Sequence, residues 1–229
     1  MTTQLSRPLE PGDLAPLFAL PGVNRDGDVS LEEFRGRSAV LVGLFRGLHC
    51  PFCRRHIAQL GVARERFLAA GVETVAIVNT PVERARLYFR YHPTRVLLAA
   101  DPDVVTHRAF GLPEVQLVPS EAAAAAPPWP LAATMDQFLA ARINPTGELP
   151  EAKNPFEANQ VLNQKEGFEP TEVDQQIVAA HGTQLAGQFL IDRDGVVRWA
   201  FVEAKDRIAD LAKFPDEAEV LAAARALHH

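Results

Sequence analysis

From Ala39 to Phe45 the chain reads AVLVGLF, with no polar side chain. A short, continuous apolar run of this kind is the pattern of a strand covered on both faces. Pro51 to Ala70 then carries Ile57, Leu60, Val62 and Phe67 near helical spacing and stops at Gly71, a residue suited to the position after a helix. The alternation continues with a strand over 74–78, a helix from Pro81 to Tyr91 and a strand over 96–99. A short helix over 102–110 follows and is closed by Gly111. Ahead of this core, residues 13–37 form an opening segment with a turn at Asn24-Arg25-Asp26-Gly27. In it, Ser30 and Glu33 read as a capping box that starts one short helical turn. Strands alternating with helices predict right-handed parallel crossovers in an α/β sheet.

Beyond Gly111 the period breaks. PSEAAAAAPPWP (119–130) is a Pro- and Ala-rich loop, and helices are expected at 131–142, within NPFEANQVLNQ (154–164) and at 171–181. His181-Gly182 reads as the cap of the last of these. Regularity returns at Gln188–Ile191 and Val196–Val202. The Asp192–Gly195 turn between them makes a β-hairpin, and an amphipathic helix over 215–227 ends the pattern. Glu203 reads as a solvent-facing strand end, with a buried acid near the site as the alternative, and Phe45, Phe52 and Trp199 as core or, second, as site wall. The chain is thus a single domain over 1–229 with an insertion at 112–186, far longer than the usual connection of about four to six residues. Apolar residues such as Trp129, Leu131, Phe138, Phe156, Leu162 and Ile177 are too frequent there for disorder. They predict a small helical subdomain that packs on the core or on the second subunit of a homodimer.

Hydrophobic residues make up 47% and charged residues 23%, as in ordinary globular chains, and the net charge of −6 leaves no footprint for nucleic acid or an anionic membrane. The N-terminal stretch has no apolar run of signal-peptide length and no later run reaches that of a membrane span, so the expected compartment is the cytoplasm. A disulfide there is usually catalytic or sensing rather than a structural staple. No Gly-rich phosphate loop or dinucleotide fingerprint occurs, so neither a nucleotide nor a flavin is expected.

That context gives weight to Leu48-His49-Cys50-Pro51-Phe52-Cys53-Arg54-Arg55-His56, which holds both cysteines of the chain. Pro is favoured at the first helical position, so Cys50 becomes the N-cap, its sulfur turned to free backbone N–H groups and to the positive end of the helix dipole. Cys53 falls one turn on, on the same face, within reach of a disulfide. A thiol of ordinary pKa about 8.5 is lowered by such a position and by nearby cations, and Arg46, Arg54 and Arg55 flank the pair. His49 and His56 read as tuning or surface residues, and Arg46, His49, Pro51, Arg54 and Arg55 together as thiolate-tuning or substrate-binding candidates. Zinc held by His49, Cys50, Cys53 and His56 is the rival reading. Four ligands within eight residues at one helix start do not readily close a tetrahedron, so no metal is expected. Haem attachment needs His directly after the second Cys, and Arg54 stands there. Two buried structural thiols are the plainest alternative.

Four stretches carry a family resemblance. Pro11–Leu20 (PGDLAPLFAL) resembles the opening motif of the alkyl hydroperoxide reductase and thiol-specific antioxidant family, the peroxiredoxins. Leu44 through Cys53 resembles its active-site strand and loop, and Leu97–Asp103 and Phe189–Arg198 resemble its later strands. The resemblance implies a thioredoxin-like fold, a peroxiredoxin-type central sheet flanked by helices, with the mostly helical insertion placed before the last hairpin. It also implies a thiol-dependent antioxidant enzyme that reduces hydroperoxides through Cys50 and Cys53 and is recycled by a thioredoxin or glutathione system. Thiol–disulfide exchange on protein or small-molecule disulfides is the alternative, and a non-catalytic redox sensor or binding protein the third.

The chain departs from the family pattern in instructive places. Arg46 stands where a proline is usual and Cys50 where a threonine or serine is, which puts Cys53 at the peroxidatic position. Ala186 lies where family members carry an arginine, and no proline precedes the hairpin strand. The pattern is that of a branch with a thioredoxin-type C-x-x-C. Thioredoxin logic makes the exposed N-cap sulfur, Cys50, the attacking one, and the family overlay favours Cys53; exposure and the dipole act most directly on Cys50. In this fold the insertion returns to the core beside the C-x-x-C loop, so it is expected to wall the cleft near Cys50 or to serve assembly.

Overall fold

A computed structural model describes residues 7–123, 129 and 132–227. In the opening segment β1 (Ala19–Pro21) pairs antiparallel with β2 (Asp28–Ser30), and the Ser30–Glu33 capping box starts one 3₁₀ turn over Leu31–Glu33, as the sequence predicts. The core follows as β3 (Ala39–Phe45), α1 (Pro51–Ala69), β4 (Val72–Val78), α2 (Val82–Tyr91), β5 (Leu97–Ala100) and α3 (Val105–Ala109). Next come β6 (Gln116–Leu117), α4 (Ser120–Ala123), β7 (Ala132–Ala133), α5 (Met135–Ala140), α6 (Pro155–Lys165) and α7 (Glu172–His181). The chain closes with β8 (Gly187–Ile191), β9 (Val197–Val202) and α8 (Glu217–Ala226).

The central sheet has the order β5-β4-β3-β8-β9, with β3, β4 and β5 parallel and the β8–β9 hairpin antiparallel to them. The seven-residue apolar run earns its central place by alternation. Leu41 and Phe45 face one core cluster, with Phe67 of α1, and Val40, Val42 and Leu44 face a second, with Phe110 and Phe189. Gly43 is required on the first face, because a Cβ there would stand 2.4 Å from the Phe45 ring.

Some bounds differ from the sequence reading for local reasons. Helix α3 begins at Val105 rather than Pro102, because the Asp101 carboxylate accepts the N–H groups of Val105 and Thr106 at 3.1 and 2.7 Å and so fixes the start. Val62 lies on the outer face of α1 and is 73% exposed, while Ile57, Leu60 and Phe67 are buried. The predicted helix over 131–142 is shorter: Ala132 and Ala133 pair with β6, and Thr134 caps α5 through a capping box with Gln137. Leu131 and most of the Pro/Ala-rich stretch lie outside the described residues.

The segment between α3 and β8 is anchored to the rest at several points. Phe138, Ile143, Leu149, Ala158 and Leu162 belong to the same buried cluster as Phe45, Cys50 and Cys53. Asp174 of α7 takes an ion pair from Arg84 of α2 at 2.7 Å, and Arg54 of α1 pairs with Glu166 just after α6. Among the described residues no helix is long and apolar enough to cross a membrane. Because Leu162 is wholly buried in the shared core, Leu162→Ala should cost about 2–5 kcal/mol. Urea unfolding should remain one transition, with tryptophan fluorescence and circular dichroism coincident. Two separated transitions would mean that the segment folds apart from the sheet.

Candidate active site

The site is made by the end of a strand and the start of a helix. β3 delivers the chain to Arg46, and the turn 46–50 closes with the Cys50 N–H donating to the Gly47 carbonyl at 3.0 Å. Pro51 follows as the first helical residue, where its fixed φ suits the helix and its missing N–H leaves nothing unsatisfied. Cys50 is the N-cap of α1, with φ −90° and ψ 104°, and its sulfur accepts the Cys53 N–H at 3.3 Å. The turn is braced from outside. Leu48 N–H donates to Thr80 Oγ1 at 3.1 Å, Arg54 donates to the Leu48 carbonyl, and Asn163 Nδ2 of α6 donates to the His49 carbonyl at 3.0 Å.

The two sulfurs share a burial but not an ionisation. Burial pushes the Cys50 thiol up, yet the hydrogen bond from Cys53 and the nearby Arg46 guanidinium outweigh it and bring the pKa down to about 6. Burial pushes Cys53 up as well, and there its bond to Cys50 and the Cys50 charge add to the rise. The pair therefore holds one thiolate and one thiol, hydrogen-bonded to each other. Both cysteines are free and buried. The expectation of an exposed N-cap sulfur needs correction here, since Cys50 is only 1% exposed. It is covered because the segment after α3 folds over it.

Arg46 is held by an arrangement that local sequence does not announce. Its guanidinium forms a two-pronged ion pair with Glu203, one arm at 3.1 Å, and also donates to the Gln184 carbonyl at 2.9 Å. Glu203 accepts two further N–H groups, from Ala186 and Ala212, each at 2.7 Å. The favoured sequence reading of Glu203, a solvent-facing strand end, is corrected: the residue is wholly buried, as the alternative reading had it. The cause is the turn after β9: Ala204, at φ 48°, and Ala212, at φ 61°, wrap the chain back over the carboxylate. The only sequence signal for it was a lone acid directly after an apolar strand.

Cys50, Arg46 and His49 line one cleft of about 540 Å³. Its other walls are largely apolar and come from the α3–β8 segment: Phe138, Ile143, Phe156 and Val178, with Phe52 from α1 and Leu211 from the turn after β9. Cys53 lies outside the lining, behind Cys50. His49 is buried, and burial together with the Arg46 charge lowers its pKa to about 4, so it is neutral near pH 7. His56 is buried too, lowered to about 4 by burial, stacked on Phe214 at 4.5 Å and 2.7 Å from Gln188. Neither histidine is a surface residue. Arg54 and Arg55 turn away from the sulfurs toward the α3–β8 segment. Both pair with Glu166, Arg55 also pairs with Glu148, and Arg54 lies 4.1 Å over the Phe168 ring. His181 pairs with Glu114 at 3.0 Å, and Gly182 caps α7 with an ordinary right-handed backbone at φ −62°. Among the described residues, no three His, Cys, Asp or Glu side chains converge as a metal ion would require.

The sequence model of the AhpC/TSA family matches residues 11–130, and the chain belongs to that family. Its enzyme class is a peroxiredoxin-like peroxidase or a thiol–disulfide oxidoreductase, with a C-x-x-C pair at the helix start. Solved structures agree on a thioredoxin-like fold of the peroxiredoxin type. Peroxidoxin BcpB from Mycobacterium tuberculosis is similar at TM-score 0.54 and 15% identity, covering 96% of this chain and 98% of its own. The reduced 2-Cys peroxiredoxin of Plasmodium vivax is similar at TM-score 0.56 and 16% identity, covering 95% of this chain and 96% of its own. No curated protein matches the sequence.

The downward shift of Cys50 fixes the sign of a pH experiment. The thiolate predominates above about pH 6, so alkylation of reduced protein by iodoacetamide should be near its plateau at pH 7 and fall about tenfold per unit below 6. Removing the cation without stranding its partner, by combining Arg46→Met with Glu203→Gln, should move the midpoint upward by about one unit or more. A midpoint unchanged in the double variant would remove Arg46 from the account.

Proposed function

We propose that this protein is a thiol-dependent peroxidase in which Cys50 attacks a hydroperoxide and Cys53 resolves the product. The observation that carries the reading is the position of the Cys50 sulfur, lowered to about 6, in a cleft sized for a small molecule while itself only 1% exposed. A hydroperoxide reaches such a sulfur, whereas the disulfide of a folded protein needs an accessible one. The thiolate takes the terminal oxygen of ROOH, the O–O bond breaks, and RO⁻ leaves and is protonated to the alcohol. Cys50 is left as the sulfenic acid. The Cys53 thiol displaces hydroxide from that sulfur, giving the Cys50–Cys53 disulfide and water.

In this reading Arg46 stabilises the thiolate, Pro51 sets the helix start that aims N–H groups at the sulfur, and Arg54 and Arg55 dock the insertion rather than tune the pair. The insertion at 112–186 acts as the wall of the substrate cleft, and its apolar lining suits an organic hydroperoxide. A thioredoxin or glutathione system in the cytoplasm resets the disulfide. The C-x-x-C at a helix start favours thiol–disulfide exchange as the second reading, through the same two sulfurs.

Stopped-flow consumption of hydroperoxide by reduced protein separates the two. Wild type should react far faster than free cysteine and lose two hydrogens by intact mass. Cys50→Ser should fall to background, and Cys53→Ser should consume one equivalent and halt at a sulfenic acid trapped by dimedone. A wild-type rate no faster than free cysteine's leaves disulfide exchange. Retained reactivity in Cys50→Ser, with loss in Cys53→Ser, would reverse the roles of the two sulfurs.

A further inference from the structure

The charges of the chain are unevenly placed. Residues 112–186 hold ten acidic and three basic side chains, whereas the rest of the chain holds nineteen and twenty. The insertion that walls the cleft thus carries the negative charge of the whole chain. The cleft itself follows suit. Of all the Asp, Glu, Lys and Arg side chains, only Arg46 and Glu114 are among its lining residues. Arg46 is already shared between the buried Glu203 carboxylate and the Cys50 sulfur. Glu114 pairs with His181, which stands outside the lining, and His49 is neutral near pH 7. Glu172 is exposed and makes no ion pair among the described residues. It stands one turn before Gln175 of the lining, on the same side of α7. A carboxylate brought into this cleft would leave water for largely apolar walls, with no cation free to receive it. Such a group loses its hydration without compensation, which costs more than for a neutral polar group. An uncharged molecule meets the same walls with no such cost.

We propose that the cleft is a charge filter, which admits uncharged organic hydroperoxides and turns away those that carry a carboxylate. The inference deepens the peroxidase reading above and rests on it for the identity of the substrate. The selection acts on the part of the molecule remote from the O–O bond, so the chemistry at the sulfur is the same for a neutral and an anionic hydroperoxide. What differs is the free energy of bringing each to that sulfur.

The experiment uses matched probes on the reduced protein, each rate divided by that of free cysteine. Cumene hydroperoxide bearing a para-carboxylate is compared with the methyl ester of the same acid, and 3-maleimidopropionate with N-ethylmaleimide. Wild type should prefer the ester over the acid by about ten- to a hundredfold, the factor for a charge left without a partner, and the neutral maleimide in the same sense. Glu114→Gln should narrow both preferences. Adding Ala179→Arg, which sets a cation on the lining face of α7, should remove most of what is left while the rates of the neutral probes stay near wild type. Acid and ester reacting alike in wild type would overturn the proposal, as would preferences that the double variant leaves unchanged. Wild type no faster than free cysteine toward either hydroperoxide would instead fell the peroxidase reading, and the maleimide pair would still decide whether the cleft rejects charge.

Discussion

One buried ion pair ties the reactive loop to the far end of the sheet. Taking two charges out of water costs several kcal/mol each unless geometry and further hydrogen bonds compensate. Here the compensation comes from three backbone groups on two further stretches of chain: the Gln184 carbonyl and Ala186 N–H on one, and the Ala212 N–H on the other. The turn after β3, the approach to β8 and the turn after β9 are fixed relative to one another by that requirement. Neither charge is free to leave without stranding the other. A pair of this kind is weak evidence for stability and better evidence for specificity of arrangement, and at this position the arrangement sets the field at the Cys50 sulfur.

That field explains how two thiols with the same burial come to differ in ionisation. Desolvation alone would raise both. The cap position gives Cys50 the Cys53 N–H, and Arg46 gives it a cation. The negative charge that results then opposes ionisation of Cys53. The two ionisation states are thus divided by one asymmetry, a residue at the N-cap against a residue one turn further in. The sulfur that faces the cleft is also the one that is charged.

Much of this was legible in the chain. AVLVGLF read as a strand covered on both faces, and Cys-Pro at a helix start pointed to the cap, because each signal lies within a few residues. Other features depended on partners remote in sequence. Glu203 looked exposed by position, and only the backward turn at Ala204 buries it. Arg54 and Arg55 lie as close to the cysteines in sequence as Arg46 does, yet Glu166, more than a hundred residues on, draws them away. His49 and His56 carry no local pattern that marks them as buried. The apolar content of the insertion was plain, but which of its residues would face the cleft depended on how α5, α6 and α7 dock.

The cap at Cys50 also has a thermodynamic side. Only the reduced protein has an anionic sulfur to enjoy the Cys53 N–H and the Arg46 charge, and the disulfide forgoes both. With its pKa lowered to about 6, the Cys50 thiolate stabilises the reduced form near pH 7. For the disulfide couple that is a shift in the oxidising direction. The same electrostatics that ionise Cys50 thus make any disulfide it forms the easier one to reduce, so ease of ionisation and ease of reduction are drawn from one source.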